Sequence, residues 1–410
     1  MKQWEFVGFV DTISFRQISG WVLYSVPLGG YPIPHLRVNG KDLIELKLTG
    51  DRPDVELVKG YPAKGIFLKI ARHLDEGINL IEVIFEDGRL VNNGSASLIF
   101  NRDQMIGNYW TDQYNSSNLP IARWYQSDFI ISAINERVSG ENVTGLSQGF
   151  NILLKKKYPH ILPLKKVISV GSGFGEKEMQ AIKSGIFQSV DCFEVSSGAI
   201  DKGRKIAQER GLTERILFHS SDPFNNVISD NKYDGVYWNN SLHHMFDSRK
   251  ALIWSRRVLK PGGLFMMDDY VGPTRMQFSG EMIAISTLFR SLIPQNYLVN
   301  PWDISQKLEV KCASPDEDDL FNADPSECAD SANIIPALRD IFPMINIQNT
   351  GGGVYHLGLS DVLHNIVKAN DIKSLNLAMR MDDECTKHGH TQYAIAHGLN
   401  LKDQNSSRAP

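Results

Sequence analysis

The stretch Val167-Ile-Ser-Val-Gly171-Ser-Gly173-Phe-Gly175-Glu-Lys-Glu178 decides the fold of the central part of the chain. A short apolar run passes directly into three glycines at alternate positions, and a polar segment with helical character follows. Glycines at such a turn let the backbone bend tightly and let a ligand approach the main chain closely. The stretch therefore predicts a strand, a ligand-binding loop and a helix, although the loop by itself also occurs in dinucleotide-binding domains.

Short apolar runs alternate with helical stretches downstream of this loop. The predicted strands are residues 167–170, 189–193, 216–219, 235–238 and 264–268, with a closing pair at 344–348 and 354–359. Runs that are apolar throughout are typical of parallel strands buried on both faces, and their alternation with helices indicates a sheet covered on both sides. The pattern predicts an α/β fold with a Rossmann-like sheet of seven strands.

Polar side chains follow the predicted strands at the edge where their carboxyl ends meet. Glu194 ends the second strand, 23 residues after Gly171, where a carboxylate can accept hydrogen bonds from ribose hydroxyls. Asp222 follows the third strand, where it can accept a hydrogen bond from an adenine amino group. The fourth strand ends in Asn239, Asn240 and Ser241. Ligands of open α/β sheets bind at this edge, so these residues are predicted to surround one.

The order of these elements resembles the class I S-adenosylmethionine-dependent methyltransferases, because the turn Leu259-Lys-Pro-Gly-Gly263 also precedes the fifth strand. The resemblance covers residues 164–359 and implies S-adenosylmethionine as cofactor. It implies that Glu194 holds the ribose and Asp222 the adenine amino group, with the adjoining Val195 and Ser221 also at the cofactor. The residues implied around the methionine part are Gly171, Ser172, Gly173, Gly175, Asn239, Asn240 and Ser241.

Two departures bear on this resemblance. Many family members carry an acidic residue where Ser169 stands, so the sequence lacks one expected contact to the methionine ammonium. Glu176 stands where the third glycine of a GxGxxG fingerprint counted from Gly171 would fall, which favours S-adenosylmethionine over NAD. The neighbouring Lys177 is expected to face solvent.

Four residues at the same edge are candidates for catalysis. His243 and His244 follow the fourth strand, and Asp268 and Asp269 end the fifth. An alcohol acceptor needs a general base, and histidine suits that role because its pKa lies near neutrality. Each candidate also has a structural alternative, since a histidine can pack under the cofactor and an aspartate can cap a helix. A paired carboxylate could also bind a metal, but no metal site is assigned from the sequence.

The first hundred residues have a different pattern from the central part of the chain. Turn sequences such as Asn39-Gly40 and Asp87-Gly88 separate short apolar runs there. Asn-Gly and Asp-Gly favour tight hairpins, so an all-β sandwich is predicted here. Around Ile18-Ser-Gly-Trp21 and Arg37-Val-Asn-Gly40 the segment resembles a small β-sandwich domain found beside bacterial glycosyltransferases and methyltransferases. That resemblance implies a glycan or cell-surface polysaccharide setting.

The patterns divide the chain into four predicted segments. These are a β-sandwich at 1–101, a helical connecting or cap segment at 102–163, a methyltransferase domain at 164–368 with an inserted cap at 272–330, and a helical extension at 369–410 whose tail from Leu399 is disordered.

Composition and charge limit the function further. The chain has 410 residues, 42% of them hydrophobic, and a net charge of -4, which is typical of a globular protein and disfavours binding to nucleic acid. Four widely spaced cysteines predict reduced thiols in a cytoplasmic protein, and no stretch is apolar enough for a membrane span. The expected acceptor is a small molecule or glycan methylated on a hydroxyl, and a homo-oligomer is allowed. The alternatives are a non-catalytic S-adenosylmethionine or nucleotide-binding protein and a protein or nucleic-acid methyltransferase.

Overall fold

The computed structural model describes residues 7–115, 123–225 and 228–401 of the chain. It divides into two compact units. The first comprises Met1–Met105 and Asp316–Pro325, and the second comprises Ile106–Pro315 and Ser326–Pro410. Across the described ranges, no helix is long and apolar enough to cross a membrane.

The first unit is built on an eight-stranded, mainly antiparallel sheet. Its strands are β1 (Gly8–Ile13), β2 (Gln17–Leu23), β3 (His35–Val38), β4 (Lys41–Glu45), β5 (Lys47–Asp51), β6 (Ala63–Lys69), β7 (Gly77–Ile84) and β8 (Leu90–Phe100), with helix α1 (Pro53–Lys59) before β6. The order across the sheet is β4-β3-β7-β8-β1-β2-β6-β5. Cross-strand neighbours such as Leu36 and Val83 enter one apolar core. The predicted β domain is confirmed, whereas its arrangement as a sandwich stays a prediction.

The hairpin between β3 and β4 forms where the sequence predicts it. Asn39 and Gly40 connect the two strands and have φ angles of +51° and +75°. Two central residues with positive φ match the right-handed twist of the flanking strands, which is why Asn-Gly is favoured at this position.

The acidic part of the predicted cap belongs to the first unit. Asp316–Pro325 contains helix α9 (Glu317–Ala323), and Lys69 of β6 lies 2.5 Å from the carboxylate of Asp319. Arg72 lies 2.7 Å from Asp318. The insertion predicted at 272–330 is therefore divided between the two units, and its role as a cap stays a prediction.

The second unit contains a seven-stranded sheet in the order β11-β10-β9-β12-β13-β15-β14. Its strands are β9 (Val167–Val170), β10 (Val190–Glu194), β11 (Ile216–Ser220), β12 (Tyr233–Asn239), β13 (Leu259–Tyr270), β14 (Asn346–Gly351) and β15 (Tyr393–Leu399). Strands β9 to β13 pair in parallel, and β15 runs antiparallel between β13 and β14. The predicted Rossmann-like α/β sheet is confirmed.

Helices cover both faces of this sheet. Among the described residues, the remaining α-helices are α2 (Arg102–Asn115), α3 (Asp128–Ser139), α4 (Gln148–Lys157), α5 (Glu176–Lys183), α6 (Ser197–Glu209), α7 (Ser248–Val258), α8 (Gly280–Leu292), α10 (Ile334–Ile341), α11 (Leu363–Lys368) and α12 (Ile372–Lys387). Alternate strand residues point to opposite faces, so Val167 packs with α4, α5 and α6 whereas Ile168 packs with α7 and α10. The predicted helical character of 102–163 agrees with α2, α3 and α4, and its part at 116–122 lies outside the described residues.

The last strand was predicted at the wrong place. Residues 354–359 form turns, because the buried carboxylate of Asp382 accepts hydrogen bonds from the backbone of Gly352 and Val354 and fixes this segment against α12. The closing strand is β15, inside the stretch predicted as a helical extension and tail. Its sequence, YAIAHGL, contains two alanines and a glycine, which are poor strand formers, and burial on both faces decides its conformation. The rest of the predicted tail, 402–410, lies outside the described residues.

Candidate active site

The glycine loop between β9 and α5 adopts backbone conformations that favour glycine. Gly171, Gly173 and Gly175 have φ angles of +63°, +56° and +75°. A Cβ atom on Gly171 would lie 2.7 Å from the Cβ of Ser241, so a side chain at this position would collide with the loop after β12. The first glycine is therefore required both by its φ angle and by close packing.

Glu194 ties the end of β10 to the glycine loop. Its Oε2 accepts a hydrogen bond from the backbone of Gly173 at 2.8 Å, and its Oε1 accepts from Val195 and Ser196 at 2.9 Å each. Burial raises the pKa of Glu194, while the three donors favour the charged form. Two carboxylate oxygens offer roughly four acceptor positions, so about one remains for a ligand. Ser172, inside the loop, is also buried.

The residues predicted around the adenine lie at the neighbouring strand end. Asp222 follows β11, and its Oδ1 accepts a hydrogen bond from the backbone of Phe224 at 2.9 Å. Asp222 and the preceding Ser221 are both partly exposed. Val195 exposes 41% of its surface beside Glu194, which places an accessible apolar side chain next to the buried carboxylate.

A carboxylate from α5 lies where the strand lacks an acidic residue. The hydroxyl of Ser169 donates a hydrogen bond to Oε1 of Glu178 at 2.7 Å. Glu178 is almost fully buried, and its Oε2 has no hydrogen-bond partner among the described residues. Burial raises the pKa of Glu178, and the charge of Lys177 opposes that shift. The sequence analysis did not identify Glu178, because it considered only the strand position of Ser169, nine residues earlier.

Lys177 does not face solvent, contrary to the prediction. Its Nζ donates a hydrogen bond to the backbone oxygen of Asn239, the last residue of β12, at 2.8 Å. Burial lowers the pKa of Lys177, and the nearby charges of Glu178, Asp268 and Asp269 oppose this. Lys177 and Glu178 thus place opposite charges beside the glycine loop.

Asn239 and Asp268 are paired across β12 and β13 and share a hydrogen-bond network with Ser147. The hydroxyl of Ser147 donates to Oδ2 of Asp268 at 2.7 Å, and Nδ2 of Asn239 donates to the Ser147 oxygen at 2.9 Å. Burial raises the pKa of Asp268 to about 6. A carboxylate whose pKa approaches the working pH is suited to general base catalysis. Ser147 precedes α4 with a φ of +57°, and the sequence analysis did not identify it.

A small cavity, partly open to solvent, lies beside Asp268. Asn240, which follows β12, adds a polar side chain to its lining, as do Asn135, Ser147 and Thr350. Most of the remaining wall is apolar or aromatic. The lining residues are Trp124, Ile131, Ile134, Asn135, Val138, Leu146, Ser147, Phe150, Asn240, Asp268, Thr350, Tyr355 and Tyr393. The lining therefore combines an apolar and aromatic wall with polar side chains around Asp268.

His243 lies in the turn after β12 and is held by Asp269 of β13. Its Nδ1 is 2.5 Å from Oδ1 of Asp269, whose Oδ2 accepts hydrogen bonds from the backbone of Ser241 at 2.9 Å and Leu242 at 2.7 Å. Burial would raise the pKa of Asp269, but the charge of His243 and these hydrogen bonds keep it below its usual value. Asp269 is therefore an anion that positions the loop.

The other ring nitrogen of His243 faces a segment that sequence reasoning missed. Nε2 lies 3.6 Å from Oε1 of Glu327, and the thiol of Cys328 donates to the same oxygen at 3.0 Å. His244 instead faces Ser326, with 2.9 Å between its Nδ1 and the hydroxyl oxygen. Glu327 and Cys328 lie more than 80 positions along the chain from His243, and no spacing rule connects them.

The backbone beside this cluster is strained. Arg275, Met276 and Cys328 have φ angles of +55°, +54° and +49°. The backbone of Arg275 donates to the oxygen of Cys328, and its guanidinium donates to the oxygen of Glu327, both at 2.8 Å. Left-handed conformations of non-glycine residues cost about 1–3 kcal/mol each and concentrate at functional sites.

Comparison with known proteins gives the following matches. The model of a methyltransferase domain family matches residues 162–308. A sarcosine/dimethylglycine N-methyltransferase of Aphanothece halophytica is 34% identical over 106 residues, which are 25% of this chain and 37% of that protein. An O-methyltransferase of Pyrenophora dematioidea is 30% identical over 109 residues, 27% of this chain and 40% of that protein. The chain thus spans about two fifths of the length of these curated relatives.

Among solved structures, the geranyl diphosphate C-methyltransferase from Streptomyces coelicolor A3(2), in complex with Mg²⁺, geranyl diphosphate and S-adenosyl-L-homocysteine, is 14% identical. The match has a TM-score of 0.40 and covers 74% of this chain and 99% of that one.

Proposed function

Because the chain contains a methyltransferase domain of the class I S-adenosylmethionine-dependent type, we propose that the whole protein transfers the methyl group of S-adenosylmethionine to a small-molecule acceptor. One observation carries the proposal: the glycine loop, Glu194 and the polar ends of β12 and β13 all meet at one edge of the sheet. Methyl transfer is an in-line displacement at a cofactor-borne carbon, so an enzyme accelerates it largely by positioning the two reactants.

In this proposal the cofactor lies along the glycine loop. Glu194 offers its remaining acceptor position to the ribose, and Asp222 accepts from the adenine amino group beside Val195 and Ser221. The residues around the methionine part are Gly171, Ser172, Gly173, Gly175, Asn239, Asn240 and Ser241. Glu178 supplies the carboxylate that Ser169 lacks, and its unpartnered Oε2 is available for the methionine ammonium.

The acceptor group that the site supports best is a hydroxyl. Asp268 takes the hydroxyl proton while the oxygen attacks the methyl carbon and the carbon–sulfur bond of the sulfonium breaks, which releases S-adenosylhomocysteine. The pKa of about 6 keeps Asp268 deprotonated at neutral pH. The apolar and aromatic cavity wall favours an acceptor with an apolar body. The sequence predicted a glycan as one possible acceptor. A glycan would place several hydroxyls against that apolar wall, and those hydroxyls would lose their hydrogen bonds to water, so a glycan fits less well.

Calorimetric titration with S-adenosylmethionine, beside NAD, tests the cofactor. Glu194→Gln should weaken binding at least tenfold, about 1.4 kcal/mol, because the variant replaces an acceptor oxygen with a donor. Glu209→Gln, an exposed acid on α6, is the matched control and should bind like the wild type. Preference for NAD, or no binding at all, would overturn the assignment.

Turnover separates the proposal from its alternatives. Release of S-adenosylhomocysteine is measured with a panel of phenols, aliphatic alcohols, amines and sugars. If the protein binds S-adenosylmethionine but releases no S-adenosylhomocysteine with any of these acceptors, it is a non-catalytic binding protein. A nucleic-acid affinity that falls steeply with salt would instead favour a nucleic-acid methyltransferase.

A further inference from the structure

Three side chains with metal-binding atoms converge beside the turn that follows β12. His243 Nε2 lies 3.6 Å from Glu327 Oε1, and Cys328 Sγ lies 3.0 Å from the same oxygen. The three donor atoms all lie within 4.8 Å of one another. Donors bound to one tetrahedral zinc at roughly 2.0–2.3 Å are about 3.3–3.8 Å apart. The cluster therefore needs only small side-chain movements to surround an ion.

Asp269 holds His243 in the orientation that a metal ligand requires. In the tautomer that carries its proton on Nδ1 and donates it to Asp269, the other ring nitrogen, Nε2, offers a lone pair on the side where Glu327 lies. The carboxylate cannot swing away, because its second oxygen is bound by two backbone N–H groups. Metal-binding histidines almost always donate their other ring N–H to a partner of this kind.

The charge of the cluster also suits a cation. Asp269 is fully buried and the side chain of Glu327 is 17% exposed, so the carboxylates that face the two ring nitrogens of His243 are largely shielded from water. A divalent ion bound by Glu327 would offset its negative charge at a place where water does so poorly.

We propose that His243, Glu327 and Cys328 bind one divalent transition-metal ion. A nitrogen, an oxygen and a sulfur donor select zinc over magnesium or calcium, which prefer oxygen ligands. Three protein ligands leave a fourth position open for water. His243 then acts as a ligand, Asp269 positions it, and Asp268, on the opposite face of the sheet, remains the base of the proposed methyl transfer. Metal binding needs no methyl acceptor, so the two proposals can fail separately.

Titration of the metal-stripped full chain with Co²⁺ tests the site. We expect one equivalent to bind, with visible bands of a tetrahedral ion and a near-ultraviolet thiolate charge-transfer band, and we expect Zn²⁺ to displace it. After dialysis against Zn²⁺, elemental analysis should find about one zinc per chain. A wild-type protein that binds no cobalt and retains no zinc would overturn the proposal.

Variants assign the ligands. Cys328→Ser should remove the charge-transfer band and weaken zinc binding at least tenfold, and Glu327→Gln should weaken it at least tenfold while keeping the band. Cys312→Ser is the matched control, because Cys312 is also a buried thiol of the second unit but lies outside the cluster. A band that survives Cys328→Ser, or that Cys312→Ser removes, would contradict the assignment. If Cys328→Ser does not fold, Glu327→Gln and the wild-type titration still decide.

Discussion

Asp268 and Asp269 are neighbours at the end of one strand, and their surroundings differ in almost every respect. Successive strand residues point to opposite faces, so Asp268 meets Ser147 at the cavity whereas Asp269 meets His243 and two backbone N–H groups. The pKa of Asp268 is raised to about 6 by burial, and the pKa of Asp269 is held below its usual value.

Burial alone therefore does not decide the role of a carboxylate. Asp269 has a histidine and two donors that favour its charge, so it is a fixed anion that positions a loop. The charge of Asp268 is stabilised only by the hydroxyl of Ser147 and by Lys177. Its charged form is therefore less favoured than that of Asp269, and Asp268 can be protonated and deprotonated near neutral pH. The comparison therefore separates a positioning residue from a candidate base, although the sequence presents the two as one pair.

The largest effect expected from this comparison is on turnover. Asp268→Asn should lower the rate of methyl transfer about 10²–10⁴-fold, since an amide cannot accept the acceptor proton. S-adenosylmethionine affinity should change less than threefold, because the proposed cofactor contacts lie elsewhere. Rates are followed by S-adenosylhomocysteine release and affinity by calorimetry. If the variant turns over at the wild-type rate, Asp268 is not the general base.

Asp269→Asn should mainly affect stability. The change puts a donor where a carboxylate oxygen accepted buried hydrogen bonds from His243 or from the backbone of Ser241 and Leu242, so the free energy of unfolding should fall by about 1–3 kcal/mol. Chemical denaturation measures the loss. Asp340→Asn, which breaks an exposed pair with Arg249, is the control and should cost under about 1 kcal/mol. Equal losses in both variants would mean that Asp269 does not hold the loop.

Asp268→Asn should have the opposite effect on stability. A folded-state pKa of about 6 lies above the unfolded value, so the stability that the neutral carboxyl provides is lost as pH rises from about 4 to 6. The asparagine of the variant cannot ionise. At pH 8 its free energy of unfolding should therefore exceed that of the wild type by on the order of 2 kcal/mol, and at pH 4 this gain should be absent. Denaturation at the two pH values tests this, and a variant that is less stable at both would contradict it.

The smallest effect expected is a shift of the pH profile. The wild-type kcat/KM should rise with pH through a midpoint near 6, as Asp268 loses its proton. The hydroxyl of Ser147 lowers the pKa of Asp268, so Ser147→Ala should move the midpoint to higher pH. Ser291→Ala, at an exposed position of α8, should leave it in place. If the midpoint is the same in Ser147→Ala and in the wild type, a group other than Asp268 controls the pH profile.

The main features of the seven-stranded sheet could be predicted from the sequence alone. Local signals suffice there, because glycines with positive φ and apolar runs reflect constraints on neighbouring residues. They located β9 to β13, the glycine loop, and the edge at which Glu194 and the ends of β12 and β13 meet. The same reasoning identified the hairpin at Asn39 and the β domain around it.

Which distant side chains share a site depends on how the chain folds, and no local signal indicates it. Residues 393–399 became β15 because both neighbouring strands bury them, against their own weak strand propensity. Ser147, Glu178 and Cys328 reach the site from a loop, a helix and the insertion, and no periodicity links such segments. The roles of Asp268 and Asp269 also required the structure, because a pKa depends on the charges, donors and burial that packing assembles around a group.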